Sequence, residues 1–240
     1  MNDTFEKNFQ PDPQRAEKTE PKFKFTSDDL KEIFKDQEFS PEKLVVLLEK
    51  QYPDTYKQGV GVWEGYTLEQ HTLMVMRQFE KYFGDKDLSS GIDKNMFRLI
   101  LALHDVGKPE AISKGGKYLQ HEYTQKYIQS LFGHLDIDKK HTDLALVLVS
   151  DDPIGKYLTS RMDATQTKEV IEEMSSKARI PIDEFFELLC TYYKLDAGSY
   201  TENAGGFRSL DNLFDFDEEN NNLNFAPNVQ DRIDQLGFKK

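Results

Sequence analysis

The chain has 240 residues, 38% of them hydrophobic, and is therefore long enough for one helical domain with a full core. Its 43 acidic residues outnumber its 31 basic ones and give a formal net charge of −12, so a large basic surface for duplex DNA or RNA is not expected. The single cysteine cannot form an intrachain disulfide, which suits a reducing compartment. No apolar run reaches the length of a membrane span, and the first residues do not resemble a secretory signal. We therefore expect a cytoplasmic protein that does not contact a membrane.

Residues 1–25 mix Lys, Glu, Asn and Gln with three prolines and show no helical periodicity, which predicts a mobile N-terminal arm. Start signals for three helices follow, namely a cap at residues 26–27, a cap and proline at Ser40-Pro41, and a capping box at Thr67 and Gln70. His71 lies in the first turn of the third helix, on its apolar stripe.

A later apolar segment ends in His104-Asp105, and His104 continues the stripe that faces the core. Gly107 is a helix stop and Pro109 a breaker, so a loop is expected after them. Within that loop, Lys114 and Lys117 flank paired glycines. This pattern is typical either of an anion-binding loop or of an exposed turn.

Three further helices carry polar residues at their ends. His121 lies in the first turn of one, Asp151-Asp152 ends the next, and Asp196 ends the apolar stripe of a long helix that starts after Pro181. No stretch alternates with period two over the length of a strand, so we predict an all-α fold. Residues 26–200 are expected to form its helical core, and residues 201–240 a partly irregular C-terminal extension.

Several of these polar residues share one property, because each lies at an end of a core-facing stripe on a different helix: His71, His104-Asp105, His121 and Asp196. Buried polar groups are costly unless they are paired or bound to a metal. We therefore predict that the helix ends converge on one polar pocket. Two imidazoles and two carboxylates suit a divalent ion such as Mn, Fe, Co, Ni, Zn or Mg, and the lack of thiolates excludes a cysteine-type zinc site.

The order His71, His104-Asp105, Gly107-Lys108-Pro109 and Asp196 resembles the HD-domain superfamily of metal-dependent phosphohydrolases. The resemblance covers about residues 45–200 and implies a helical bundle with one central metal ion. The ligands that it implies are His71, His104, Asp105 and Asp196. The activity that it implies is hydrolysis of a phosphomonoester or phosphodiester, most plausibly of a nucleotide.

The resemblance also implies roles for individual side chains. Lys108 matches a lysine that commonly contacts substrate phosphate, and Asp105 would orient or deprotonate the nucleophile. His121 would donate to the leaving oxygen or hold the phosphate, while Lys114 and Lys117 are weaker candidates for further phosphate contacts. Asp151-Asp152 replaces the histidine pair of members with two metals, which favours a mononuclear site.

Two alternatives stay open at the level of sequence. Some HD-fold proteins are di-iron oxygenases, although they need more histidine ligands than this chain offers. The fold can also serve as a non-catalytic module that binds a nucleotide or a protein partner. The sequence does not predict an oligomeric state.

Overall fold

The helix starts coincide with the capping residues that the sequence predicts. Ser40 accepts a hydrogen bond from the Lys43 backbone N–H, and Thr67 and Gln70 form a reciprocal capping box. The computed structural model describes residues 23–35, 39–59, 65–89, 91–206 and 210–238. The mobile arm predicted for residues 1–25 lies outside the described residues, apart from its last three.

The described part of the chain is mostly helical, as the all-α prediction requires. The helices are α1 (Ser27–Lys35), α2 (Pro41–Gln51), α3 (Pro53–Tyr56), α4 (Leu68–Phe83), α5 (Lys94–Leu103), α6 (Lys108–Lys114), α7 (Gln120–His134), α8 (Lys139–Leu148), α9 (Pro153–Leu158), α10 (Ala164–Ala178), α11 (Ile182–Gly198) and α12 (Pro227–Asp234). Among these described helices, none is long and apolar enough to cross a bilayer.

Helix α4 lies at the centre of the bundle and packs against α2, α5 and α11. The apolar stripes of α4, α5 and α11 are fully buried, for example at Phe79, Ile100 and Leu188. Burying these stripes is the main contribution to stability, because the hydrophobic effect scales with the apolar area removed from water. The same packing brings the polar ends of the three helices together.

The region after His104-Asp105 differs from the loop that was predicted. Helix α5 ends at Leu103, and α6 starts at Lys108 with Pro109 in its first turn. Proline is tolerated there because its missing N–H has no partner within the helix. Gly107 allows close packing, since a Cβ at this position would lie 2.1 Å from the Thr124 backbone nitrogen in α7.

The C-terminal extension contains a β-hairpin that the all-α prediction did not include. Strands β1 (Phe214–Asp217) and β2 (Asn222–Phe225) pair antiparallel, with Phe214 opposite Phe225. Each strand has only four residues, so its alternation is too short to stand out in the sequence. After the hairpin, α12 buries Val229 and Ile233, and the extension is therefore packed against the core.

Candidate metal centre

Four side chains from three helical segments meet in one buried cluster. His71 comes from the first turn of α4, His104 and Asp105 follow the last turn of α5, and Asp196 comes from the last turn of α11. The Nε2 atom of His71 lies 3.0 Å from Nε2 of His104 and 3.1 Å from Oδ1 of Asp196. It also lies 3.5 Å from Oδ2 of Asp105. The convergence that the stripes predicted is therefore present in the fold.

Hydrogen bonds at the far side of each imidazole assign its tautomer. His104 donates from Nδ1 to the Leu101 carbonyl at 2.7 Å. The Ser199 hydroxyl donates to the Asp196 carbonyl at 2.6 Å, so its oxygen accepts from Nδ1 of His71 at 3.2 Å. Because both Nδ1 atoms carry the proton, both neutral rings present an Nε2 lone pair to the cluster.

In the neutral rings, the two Nε2 lone pairs and Oδ1 of Asp196 thus face one another at short distance with no proton shared among these three atoms. Asp196 illustrates this best, because its side chain is 36% exposed while its Oδ1 is buried and accepts no hydrogen bond. A buried acceptor without a donor is costly. A cation at the centre removes that cost, and the donor set of two nitrogens and two oxygens suits a borderline or hard divalent ion. His71, His104 and Asp105 are buried close together and could hold a metal ion.

The charges of the cluster shift its pKa values in opposite directions. Burial lowers the pKa of His104, but the nearby carboxylates of Asp105 and Asp196 outweigh it, and the net pKa is raised. Burial raises the pKa of Asp105, but Lys108 and the two imidazoles lower it to about 2. The pKa of Asp196 lies well below its ordinary value because the two imidazoles outweigh burial. Both carboxylates are therefore ionised at neutral pH and available as ligands.

Three members of the cluster, His104, Asp105 and Asp196, line a cavity of about 290 Å³. Lys108 lies beside the cluster, with its buried ammonium 3.0 Å from Oδ2 of Asp105. His121 lines the cavity as well and donates from Nδ1 to the Val149 carbonyl at 2.8 Å. Three further cationic side chains belong to the lining, namely Lys117, Lys156 and Arg161.

The two lysines of the Gly115-Gly116 segment have different positions. Lys117 lines the cavity, as expected for a phosphate contact. Lys114 is not part of the lining, because it lies one helical turn from Glu110 on α6 and forms an exposed ion pair with it. The prediction that both lysines contact substrate is therefore not supported at Lys114.

The two aspartates after α8 have structural partners. Asp151 forms an ion pair with Lys156, and Asp152 caps α9 by accepting from the Gly155 N–H at 2.8 Å. Burial raises the pKa of Asp152, with the Asp196 and Asp151 charges adding to the effect.

Sequence reasoning missed Tyr200, whose hydroxyl lies 3.2 Å from Nε2 of His71. It also missed Ser199. Both follow Asp196 at the i+3 and i+4 positions, so the helical spacing that identified Asp196 could have identified them.

Comparison with protein-family models, curated proteins and solved structures finds no match to this chain. A function is therefore inferred from the geometry of its own residues.

Proposed function

We propose that the protein is a metal-dependent phosphohydrolase of the HD-domain type that acts on a phosphomonoester or phosphodiester, with nucleotides as the leading substrate class. The observation that carries this proposal is the buried convergence of two Nε2 lone pairs and two ionised carboxylates beside the buried ammonium of Lys108. A cluster of this kind needs a cation, and the neighbouring ammonium suits an anionic substrate.

The cluster supports hydrolysis through complementary roles of its side chains. A divalent ion held by His71, His104, Asp105 and Asp196 would polarise a phosphoryl oxygen and lower the pKa of a bound water. Asp105 stays ionised at neutral pH and can accept a hydrogen bond from the attacking water. Its pKa of about 2 makes it a better orienting group than a general base.

Two further side chains complete the proposed chemistry. Lys108 would neutralise charge that develops on the phosphoryl oxygens, an effect that is strong in a cavity from which water is excluded. The Nδ1 atom of His121 is occupied by the Val149 carbonyl, so Nε2 is the ring atom available for substrate. When protonated, that atom would donate to the leaving oxygen or to a phosphate oxygen.

The size of the cavity favours a small substrate. A volume of about 290 Å³ is near the lower limit of ordinary ligand pockets, which suits a mononucleotide or a smaller phosphoester. The lining holds four cationic side chains and four aspartates, and two of these aspartates are proposed metal ligands. Tyr192 and Tyr193 add aromatic surface to the same lining, against which a base could pack.

The test is a panel of nucleotides, cyclic nucleotides and generic phosphoesters, each incubated with Mg, Mn, Co, Ni or Fe(II). We expect metal-dependent release of phosphate or nucleoside from at least one nucleotide. A protein that binds metal but hydrolyses none of the panel would contradict the proposal. Iron bound at two ions per chain, together with an oxygen-dependent optical change, would instead support the oxygenase alternative.

Replacing Lys108 by alanine is expected to lower turnover by about 100-fold, because one charged donor to the phosphoryl oxygens is lost. Metal affinity should stay within about threefold, since the four proposed ligands remain. Turnover is measured on the best substrate of the panel and metal affinity by titration calorimetry. Lys126→Ala is the matched control, because its exposed ion pair with Glu122 lies on the surface of α7. Unchanged turnover in Lys108→Ala would contradict this role.

A further inference from the structure

The hydroxyl of Tyr200 lies at the edge of the metal cluster. It is 3.2 Å from Nε2 of His71 and 3.5 Å from Nζ of Lys108. Tyr200 lies just beyond the end of α11, about one helical turn after Asp196. It lines the cavity. It is thus in reach of both a proposed metal ligand and the proposed phosphate-binding lysine.

The ring of Tyr200 is held from two sides. It stacks on His71, with the ring centroids 4.6 Å apart and an angle of 16° between the planes. Tyr66 packs on it at a centroid distance of 6.2 Å. Because the ring is oriented by packing, the direction of its hydroxyl does not depend on the hydrogen bonds that the hydroxyl makes.

The hydrogen-bond partner of this hydroxyl depends on the state of His71. The Nδ1 proton of His71 is directed to Ser199, so Nε2 accepts the Tyr200 proton. A metal ion that takes the Nε2 lone pair removes this acceptor. The hydroxyl lines the cavity beside Nζ of Lys108, so an oxygen of a substrate bound there lies within its reach.

We propose that Tyr200 is a catalytic residue that donates a hydrogen bond to a phosphoryl oxygen of the substrate, next to the ammonium of Lys108. This inference rests on the proposed function, because it takes the substrate to be a phosphoester. Two donors of different kinds then meet the phosphoryl group from the same side, a neutral hydroxyl and a charged ammonium.

The test replaces Tyr200 by phenylalanine, which keeps the ring and its stacking on His71 but removes the hydroxyl. Calorimetry measures binding of Mn²⁺ alone, and then of inorganic phosphate to the Mn²⁺-loaded protein. We expect Mn²⁺ affinity within about threefold of wild type, phosphate affinity weakened about 10-fold, and turnover lowered about 30-fold, since a hydrogen bond to a charged acceptor is lost.

The control is Tyr127→Phe, which removes a hydroxyl that donates to Glu110 away from the cavity lining. Its phosphate affinity and turnover should match wild type. Wild-type phosphate affinity and turnover in Tyr200→Phe would overturn the proposal. A loss of Mn²⁺ affinity of 10-fold or more would also overturn it, because the hydroxyl would then be a metal ligand.

Failure of this inference can be told apart from failure of the proposed function. If wild type hydrolyses no phosphoester and its Mn²⁺-loaded form binds no phosphate, the phosphohydrolase proposal fails. If wild type does both and Tyr200→Phe does both equally well, only the role of Tyr200 fails.

Discussion

Replacing Asp105 by asparagine is expected to lower metal-dependent phosphate release by about 1,000-fold. Asparagine has the shape of aspartate but lacks its charge. The Oδ2 atom of Asp105 lies 3.5 Å from Nε2 of His71 and 3.0 Å from Nζ of Lys108, so this one atom serves both the metal cluster and the ammonium. Its replacement weakens the metal ligand set and removes the acceptor that orients the attacking water.

The same substitution leaves the buried ammonium of Lys108 without its carboxylate partner, which costs about 3 kcal/mol of stability. The double variant Asp105→Asn, Lys108→Met removes that uncompensated charge and is expected to recover most of the melting temperature but no activity. Circular dichroism at 25 °C checks that each variant is folded. Activity is measured on the best substrate of the panel.

The control is Asp231→Asn, which makes the same change of charge at an exposed position of α12 and should behave as wild type. If a folded Asp105→Asn variant keeps more than about a tenth of wild-type activity, Asp105 cannot have the central role that its position suggests.

Addition of a divalent ion is expected to raise the melting temperature of the protein by about 5–10 °C. An ion at 100 times its Kd stabilises the folded state by about 2.7 kcal/mol, and for a chain of this length each kcal/mol shifts the midpoint by about 2–4 °C. His104→Ala removes one proposed ligand and should lose most of the shift. His141→Ala, at a half-buried position in the first turn of α8, should keep it. An equal shift in both variants would show that the ion binds elsewhere.

This stabilisation should depend on pH, because a proton and the metal ion compete for His104. The folded-state pKa of His104 is raised above 6.5, so its protonated form contributes stability below pH 6.5 that is lost as pH rises through the folded pKa. The metal-induced shift should therefore be smaller at pH 5.5 than at pH 8. Calorimetric melting with and without metal across this range measures it, and a shift independent of pH would contradict the competition.

The carboxylates of Asp105 and Asp196 affect the stability of the folded state at acid pH. The pKa of Asp105 is lowered from 3.8 to about 2, so its contribution is present above about pH 4 and is lost as pH falls towards 2. Asp196 has the same direction of shift. The metal-free protein is therefore expected to lose stability at both ends of the range, through different groups.

The sequence by itself determined the features that depend on residues close along the chain. Capping at Ser40 and at Thr67 with Gln70 is confirmed, because a cap bonds only to the next helical turn. The stripes that carry His71, His104 and Asp196 follow from helical periodicity, which is equally local. Membership in the HD-domain superfamily rests on that pattern and stays a prediction.

Predictions from neighbouring residues were wrong or absent where contacts with residues far along the chain determine the local structure. Pro109 predicts a break but lies in the first turn of α6, and the close packing of α7 accounts for Gly107. The hairpin of the C-terminal extension forms because Phe214 and Phe225 are buried against the core, and four-residue strands carry too little periodicity to predict it.

Only the tertiary structure decided the chemistry of the site. The tautomer of His71 depends on Ser199, which is 128 residues away in the chain, and the position of the Tyr200 hydroxyl depends on stacking on His71, 129 residues away. The choice between Lys114 and Lys117 depends on which one reaches the cavity. Periodicity predicts which face of a helix is buried, but distances between atoms on different helices are set by how the whole core packs.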